Sequence, residues 1–450
     1  MNDSPSLNLA VVGSGYVGLV TAACLASMGH TVRVIERDPK RVAALNQGIV
    51  PFRETGLDEA VANGLARGRL SFFESPSASH GCAAALICVG TMGSDGEWSA
   101  VEVEAALRQF AADRAAPRTI IIRSSLLPGT TAGLDVLARG IDPQIEVALN
   151  PEFTRQGSAM RDFFTPDRNV VGLCRPAAQS GAAKLMADVF AVLDAPLLVT
   201  DAATAELIKM GSNTFLALKA GYANELARLA AATGADVNAV VDAIGMDRRI
   251  GRDFLSPGPG FGGSCLPSQA RALPQLASTL GVDVPILSAI SPSNVRHAQW
   301  VVDRLEAELG DLSGQWVCLL GLAFKAGTDD VRESSAIAIA KDLAQRGAQL
   351  TVHDPLALTA GMAALENGGV SVRRHSEVPG ALDGAAAVVV ATEWPLYKTI
   401  DWHGAASRMA GRLVLDLRGV VDRDAATGAG MRLIIHGRAA SAMYSATRIA

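Results

Sequence analysis

This chain has no Cys-x-x-Cys pair, no apolar run of membrane-spanning length and little charge of either sign. Each lack removes a class of function. The six cysteines, at 24, 82, 88, 174, 265 and 318, are scattered, which argues against a disulfide framework or a zinc site and for reduced thiols in a cytoplasmic protein. A bilayer span needs roughly 18 consecutive apolar residues, and none occurs. Met1–Leu7 is short and polar, without a basic segment leading into an apolar signal core. No membrane partner is expected. A formal net charge of −5 and a pI near 5.9 give no global attraction to nucleic acid, so any phosphate must be held by local groups. With 49% hydrophobic and 19% charged residues, the composition suits a compact enzyme rather than a disordered chain. A length of 450 residues exceeds one ordinary core and calls for two or three domains.

What is present begins with an apolar strand, Leu9–Val12, running into Gly13-Ser-Gly15-Tyr16-Val17-Gly18 and a small apolar helix. Gly29-His30 stops that helix, and a second strand, Thr31–Ile35, ends at Glu36. Strand, glycine turn, helix, strand and acid are the full context of a dinucleotide site. The first glycine makes the turn, the second lets backbone approach a diphosphate, and the third lets helix pack on strand. Glu36 is positioned to accept ribose hydroxyls and repel a 2′-phosphate, which favours NAD over NADP; the adjacent Arg37 softens that preference. Further strands end on polar groups: Ala84–Val89 on Thr91, Thr119–Arg123 on Ser124-Ser125, and Val147–Leu149 on Asn150-Pro-Glu152-Phe153. A second α/β block begins near Trp316, with strands at Val317–Leu320, Gln349–His353, Ala386–Ala391 and Leu413–Leu415. Basic groups beside those strand ends suit a second phosphate site.

Between the blocks lies a proline-free helix, Ala202–Thr233, on which Glu206, Lys209 and Asn213 share one face. Then comes Gly258-Pro-Gly-Phe261-Gly262-Gly-Ser-Cys265-Leu-Pro-Ser-Gln269. Its glycines and prolines exclude a helix interior or regular strand and describe a tight loop presenting a thiol. A packing cysteine needs no glycine cradle; a nucleophile needs amide donors and room for a substrate carbon.

Phe261-Gly-Gly-Ser-Cys265-Leu-Pro resembles the catalytic-cysteine signature of the UDP-glucose/GDP-mannose dehydrogenases. So, in order, do the glycine turn, the segments ending at Thr91, Ser125 and Glu152, Glu206-Leu-Ile-Lys209-Met-Gly-Ser-Asn213, and Lys325 through Ser335. The resemblance runs from about Leu9 to Asp422. It implies an α/β architecture: a Rossmann-type, doubly wound NAD-binding domain over residues 1–201, a central helical domain with the cysteine loop over 202–300, and a second Rossmann-like domain for the nucleotide-diphosphate sugar over 301–450. It also implies NAD-dependent, four-electron oxidation of a sugar C6 hydroxymethyl to the uronate, through a thiohemiacetal and a thioester on Cys265. Lys209 and Asn213 then stabilise oxyanions at C6, and Glu152 is the acidic group near the chemistry. Tyr16, Val17, Thr91 and Ser125 join the three glycines and Glu36 around the cofactor. Phe153, Phe261, Gly262, Lys325, Arg332 and Arg418 contact the substrate, and Arg249 reaches a neighbouring subunit's pocket in a homodimer or larger assembly. No metal is implied.

The chain departs from the family pattern near the chemistry. Gln156 replaces a glutamate, and Ser268-Gln269 replaces Lys-Asp. An amide cannot take a proton near pH 7, so water activation is weakened while nucleophile and cofactor site stay intact. UDP-glucose is the favoured substrate, yet Arg123-Ser-Ser-Leu-Leu-Pro-Gly-Thr130 and Lys325-Ala-Gly-Thr resemble the GDP-mannose branch at least as closely. An enzyme that stops at the aldehyde and a non-catalytic sugar-nucleotide binder remain as alternatives.

Overall fold

The computed structural model describes residues 6–93 and 96–438. The sequence expectations for Met1–Leu7 and for the end of the last domain therefore lie partly outside the described residues. The chain divides into two compact units, Met1–Ser212 and Asn213–Ala450.

The first unit is built on an eight-stranded sheet ordered β3-β2-β1-β4-β5-β6-β7-β8. Its strands are β1 (Asn8–Val12), β2 (Thr31–Ile35), β3 (Leu70–Phe73), β4 (Ala84–Ile87), β5 (Thr119–Ile122), β6 (Glu146–Leu149), β7 (Asn169–Leu173) and β8 (Leu197–Asp201). All neighbours are parallel except β6 and β7. The order reverses between β1 and β4, the place where a doubly wound sheet opens a crevice for ligand. Both faces are covered. Leu9 and Val11 enter one apolar cluster and Ala10 and Val12 another, so β1 reads as a continuous hydrophobic run rather than an alternating one.

The second unit repeats the plan with a six-stranded parallel sheet ordered β11-β10-β9-β12-β13-β14. These are β9 (Trp316–Leu320), β10 (Gln349–His353), β11 (Val372–Arg374), β12 (Ala387–Val390), β13 (Leu413–Asp416) and β14 (Arg432–Ile435). Val317 and Leu319 pack on one face and Cys318 and Leu320 on the other.

Five helices position the candidate site. These are α1 (Tyr16–Ser27), α2 (Thr130–Ile141), α3 (Ala202–Thr233), α4 (Leu266–Thr279) and α5 (Pro285–Leu309). The α3 helix, 32 residues and about 48 Å long, starts in the first unit and continues into the second. One sequence expectation is corrected here. The residues after Cys265 are not loop: Leu266–Gln269 form the first turn of α4. Pro267 lies in that turn, where a missing N–H breaks no intrahelical bond and the fixed φ suits a helix start. Among the described residues no helix is long and apolar enough to cross a membrane.

Candidate active site

The glycine turn has the geometry of a diphosphate cradle. Gly13 has φ +94° and its N–H bonds to Ile35 O at 2.8 Å, tying the turn to β2. A Cβ on Gly18 would run into the Gly13 carbonyl, whereas one on Gly15 would meet nothing within 4 Å. The first and third glycines are thus needed for packing, and the second leaves open space for a ligand. Gly15 caps α1 without a side chain, and no acidic residue lies in the first turn, so the positive helix end is free for an anion. Tyr16 and Val17 start the helix, half-buried. NAD fits this turn.

Glu36, 7% exposed, ends β2 beside the turn. Its Oε2 accepts from Ser14 N at 3.1 Å and Ser14 Oγ at 2.6 Å, and its Oε1 from Asp38 N at 3.0 Å. Burial alone would raise this carboxyl; those hydrogen bonds and Arg41, 3.7 Å away, outweigh it and hold Glu36 below the ordinary carboxylate range. Arg37 is drawn off to Glu102 at 2.8 Å. Thr91 and Ser125 stand half-buried beyond β4 and β5, their backbone carbonyls accepting from Ser99 N and Trp98 Nε1.

The structure brings Glu152 and Lys209 together. Lys209, 3% exposed on α3, donates to Glu152 Oε1 at 3.1 Å and to the Glu152 backbone carbonyl. Thr154 N and Oγ1 donate to Glu152 Oε2 at 2.8 and 2.6 Å. Burial pushes Glu152 up, but the Lys209 charge and these bonds prevail and hold it below its usual range. Phe153 lies under two cations, Arg168 at 4.1 Å and Lys209 at 5.3 Å from its ring centre. Asn213, one turn beyond Lys209, is 9% exposed. Glu206, the third member of that helix face, is fully buried and takes another task. It accepts from Gly129 N at 2.6 Å and Thr131 N at 2.7 Å, satisfying free amides at the start of α2.

In the second unit the cysteine loop is clamped from two helices. Asn224 on α3 accepts from Gly258 N at 2.8 Å, and His297 on α5 bonds Gly258 O through Nε2 at 2.7 Å. Asn294 grips both backbone groups of Phe261, at 2.9 Å each. The Phe261 side chain is buried with Ala217, Ala270 and Ile290. A Cβ on Gly262 would stand 2.6 Å from Glu333 O, and Gly263, at φ +84°, donates to Arg332 O at 3.0 Å. These two glycines permit close approach of protein backbone, where the sequence suggested approach of a ligand. The loop delivers Cys265 exposed, as the N-cap of α4. Its sulfur stands at the N-terminal end of that 14-residue helix, with Arg332 within electrostatic reach. The other cysteines are buried or half-buried, and burial pushes their thiols up, to about 12 for Cys88, Cys174 and Cys318. Gln269, 4% exposed one turn along α4, leaves its Oε1 without a partner.

Three basic candidates of the second unit gather around Phe324, whose carbonyl accepts from Arg418 at 3.2 Å and whose N–H donates to Asp330 O at 3.2 Å; Arg249 stands apart from these contacts. Arg332 is exposed and forks onto Asp330, Lys325 is half-buried beside Phe324, and Arg249 is exposed and forks onto Asp247. Arg418 reaches Glu393 at 3.0 Å and, with Arg423, His436 and Arg438, lines a cavity of about 320 Å³. No cluster of metal-binding side chains occurs among the described residues.

Sequence reasoning missed several residues that hold these parts in place. Glu54 accepts from Tyr16 Oη, Gly157 N and Ala159 N, joining the start of α1 to the segment after Glu152. Asn150 and Arg123 pair beneath the Glu152 turn. The roles of Asn224, Asn294 and His297 in this clamp had no signal, because their partners are loop amides and carbonyls far along the chain.

Comparison with known proteins agrees with this geometry. Residues 7–194, 203–296 and 318–423 match, in turn, the NAD binding, central and UDP binding domains of the UDP-glucose/GDP-mannose dehydrogenase family. UDP-glucose 6-dehydrogenase from Rickettsia felis is 35% identical over 429 residues, 95% of each chain. The solved structure of a UDP-glucose dehydrogenase from the archaeon Pyrobaculum islandicum superposes with a TM-score of 0.85 at 39% identity, covering 93% of this chain and 96% of that one. A GDP-mannose dehydrogenase from Pseudomonas aeruginosa gives 0.51 at 30% identity, covering 92% and 97%. A cofactor-ready glycine turn and a second Rossmann-like sheet, found in this order over nearly the whole length of such relatives, make this chain an NAD-dependent nucleotide-sugar dehydrogenase of the UDP-glucose/GDP-mannose dehydrogenase family.

Proposed function

We propose that the enzyme oxidises the C6 hydroxymethyl of UDP-glucose to the uronate through covalent intermediates on Cys265. The observation that carries this reading is the contrast among the cysteines: one is exposed at a helix N-terminus on a doubly clamped loop, and the others are withdrawn from solvent. NAD, when bound, accepts the hydride that leaves C6 at each of the two oxidations. The Cys265 sulfur adds to the aldehyde carbon and forms a thiohemiacetal, so the half-oxidised sugar stays attached between the oxidations. Loss of hydride from that adduct leaves a thioester, and water releases the carboxylate and restores the thiol. Lys209 and Asn213 stabilise negative oxygen at C6.

Proton handling is where this chain differs. Glu152, the carboxylate held against Lys209, is the remaining proton relay; kept below its ordinary range it is ionised but weakly basic, so it relays slowly. The Gln269 Oε1 accepts a hydrogen bond from water without taking its proton. Loss of a general base costs roughly 10²–10⁴-fold, so hydrolysis limits turnover. With enzyme, NAD and UDP-glucose, NADH should appear in a burst near two per Cys265, and intact-mass measurement should show the sugar nucleotide attached there. Gln269→Asp with Ser268→Lys should shrink the burst and speed the steady state. One NADH with free aldehyde marks an enzyme that stops halfway, none marks a binder, and a faster reaction with GDP-mannose reassigns the substrate.

UDP-glucose is favoured over GDP-mannose because the likeness to a UDP-glucose dehydrogenase structure is much the stronger of the two. A free thiol nucleophile, with no disulfide framework in the sequence, supports a reducing compartment such as the cytoplasm. Assembly as a homodimer is supported by Phe215, Tyr222 and Leu229, which are 58%, 50% and 62% exposed. Spaced seven apart on α3, they form an apolar stripe suited to a second copy.

A further inference from the structure

Beneath the Glu152 turn lies a positive charge that the proposed reaction does not yet use. Arg123 stands one residue past the end of β5, where Ile122 pairs with Ile87 of β4 and Leu149 of β6. Cys88, Arg123 and Asn150 therefore form a row across the ligand-facing ends of three central strands. Arg123 is 4% exposed. Its guanidinium donates to Asn150 Oδ1 and lies 5.8 Å from the centre of the Phe163 ring, while Nε has no partner. No ion pair to Arg123 is found among the described residues. A buried cation without a directly bonded anion is costly, and burial accordingly lowers its proton affinity. The charge acting on it from an acid is that of Glu152. Asn150 in turn donates to Val170 O at 2.7 Å and opens the Asn150-Pro-Glu152 turn.

We propose that Arg123 is a positioning residue for Glu152: through Asn150 it fixes the turn that carries the carboxylate, and it supplies buried positive charge behind it. Lys209 bonds Glu152 directly, while Arg123 reaches it through Asn150 and through its charge. Tyr16 and Cys88 complete the titratable groups that sense the carboxylate, with Arg168 over the neighbouring Phe153 ring. The inference rests on the reading of Glu152 as the proton relay.

The test is the acid limb of the kcat–pH profile, which reports the ionisation of that relay in the loaded enzyme whose hydrolysis limits turnover. Arg123→Met removes the charge, and Asn150→Asp neutralises it while giving up the bond that Asn150 donates to Val170 O. Both should move the limb up by about one pH unit, while Arg123→Lys leaves it near the wild-type position. Thermal melting identifies any variant that fails to fold, and Asn150→Asp carries the test if Arg123→Met is lost. Glu152→Gln separates the two readings. If that variant abolishes the limb and the charge variants fail to move it, Arg123 is merely structural. If the limb survives in Glu152→Gln, the relay reading falls and the Arg123 assignment with it.

Discussion

At the residue scale, the same side chain often serves the fold and the ligand at once. Glu36 is the clearest case: one oxygen secures Ser14 of the glycine turn and the other the Asp38 amide. A carboxylate has roughly two acceptor directions per oxygen; Oε2 spends both on Ser14 N and Oγ, and Oε1 keeps one for a ribose hydroxyl. Glu36→Ala should weaken NAD binding at least tenfold and bring the NAD and NADP dissociation constants close together, as measured by titration calorimetry. An unchanged preference for NAD would assign discrimination to another group. Residues of this kind were legible in the sequence because their signal is local, a glycine pattern followed by a strand and an acid. Glu54 and Arg123 were not. Glu54 bonds Gly157, 103 positions away, and Arg123 owes its meaning to burial beside Asn150. Neither fact leaves a spacing to read.

At the element scale, what was legible follows length and periodicity. Thr31–Ile35, Ala202–Thr233 and Gln349–His353 are found with the boundaries the sequence suggested. β3, β7, β8, β11 and β14 were not recognised, being runs of three to five residues without strong flanking signals. The start of α4 was missed because proline was read as a breaker where it is a first-turn residue. The clamp on the cysteine loop has a pH signature. Burial pushes His297 down to about 4 and His436 to about 3. The unfolded chain protonates its imidazoles near pH 6.5, so below that pH it binds protons that the folded chain refuses. Stability therefore falls on acidification from about 6.5 towards 4, by about 3 kcal/mol for His297 alone. The depressed carboxyls Glu36 and Glu152 lose their contribution only at lower pH. His297→Gln keeps an N–H donor for Gly258 O, and its melting temperature should fall less than that of wild type between pH 7 and pH 5. Equal falls would remove His297 from the acid response.

At the scale of the whole molecule, the open issue is whether one chain makes a complete site. Arg249 lies at 88% side-chain exposure, held only by the nearby Asp247, and an exposed bidentate pair of this kind contributes little to stability. A role in the site would need a ligand or a second subunit to engage it. The apolar stripe on α3 supplies a reason for a second subunit, since residues as large as Phe215, Tyr222 and Leu229 gain most from being covered. Tyr222→Glu should therefore shift the protein to monomer in light scattering and lower activity. The two effects are linked if Arg249 completes the neighbouring pocket. Cys265→Ala and Arg249→Ala proteins should each be inactive or severely slowed. After mixing and subunit exchange, a mixed dimer has one site with both groups present and one with neither, so part of the wild-type activity returns. Exchange is confirmed independently by tagging one variant and recovering the other with it. Exchange without recovery would place Arg249 in its own subunit's chemistry or outside any site, and the dimer would then be a matter of stability alone.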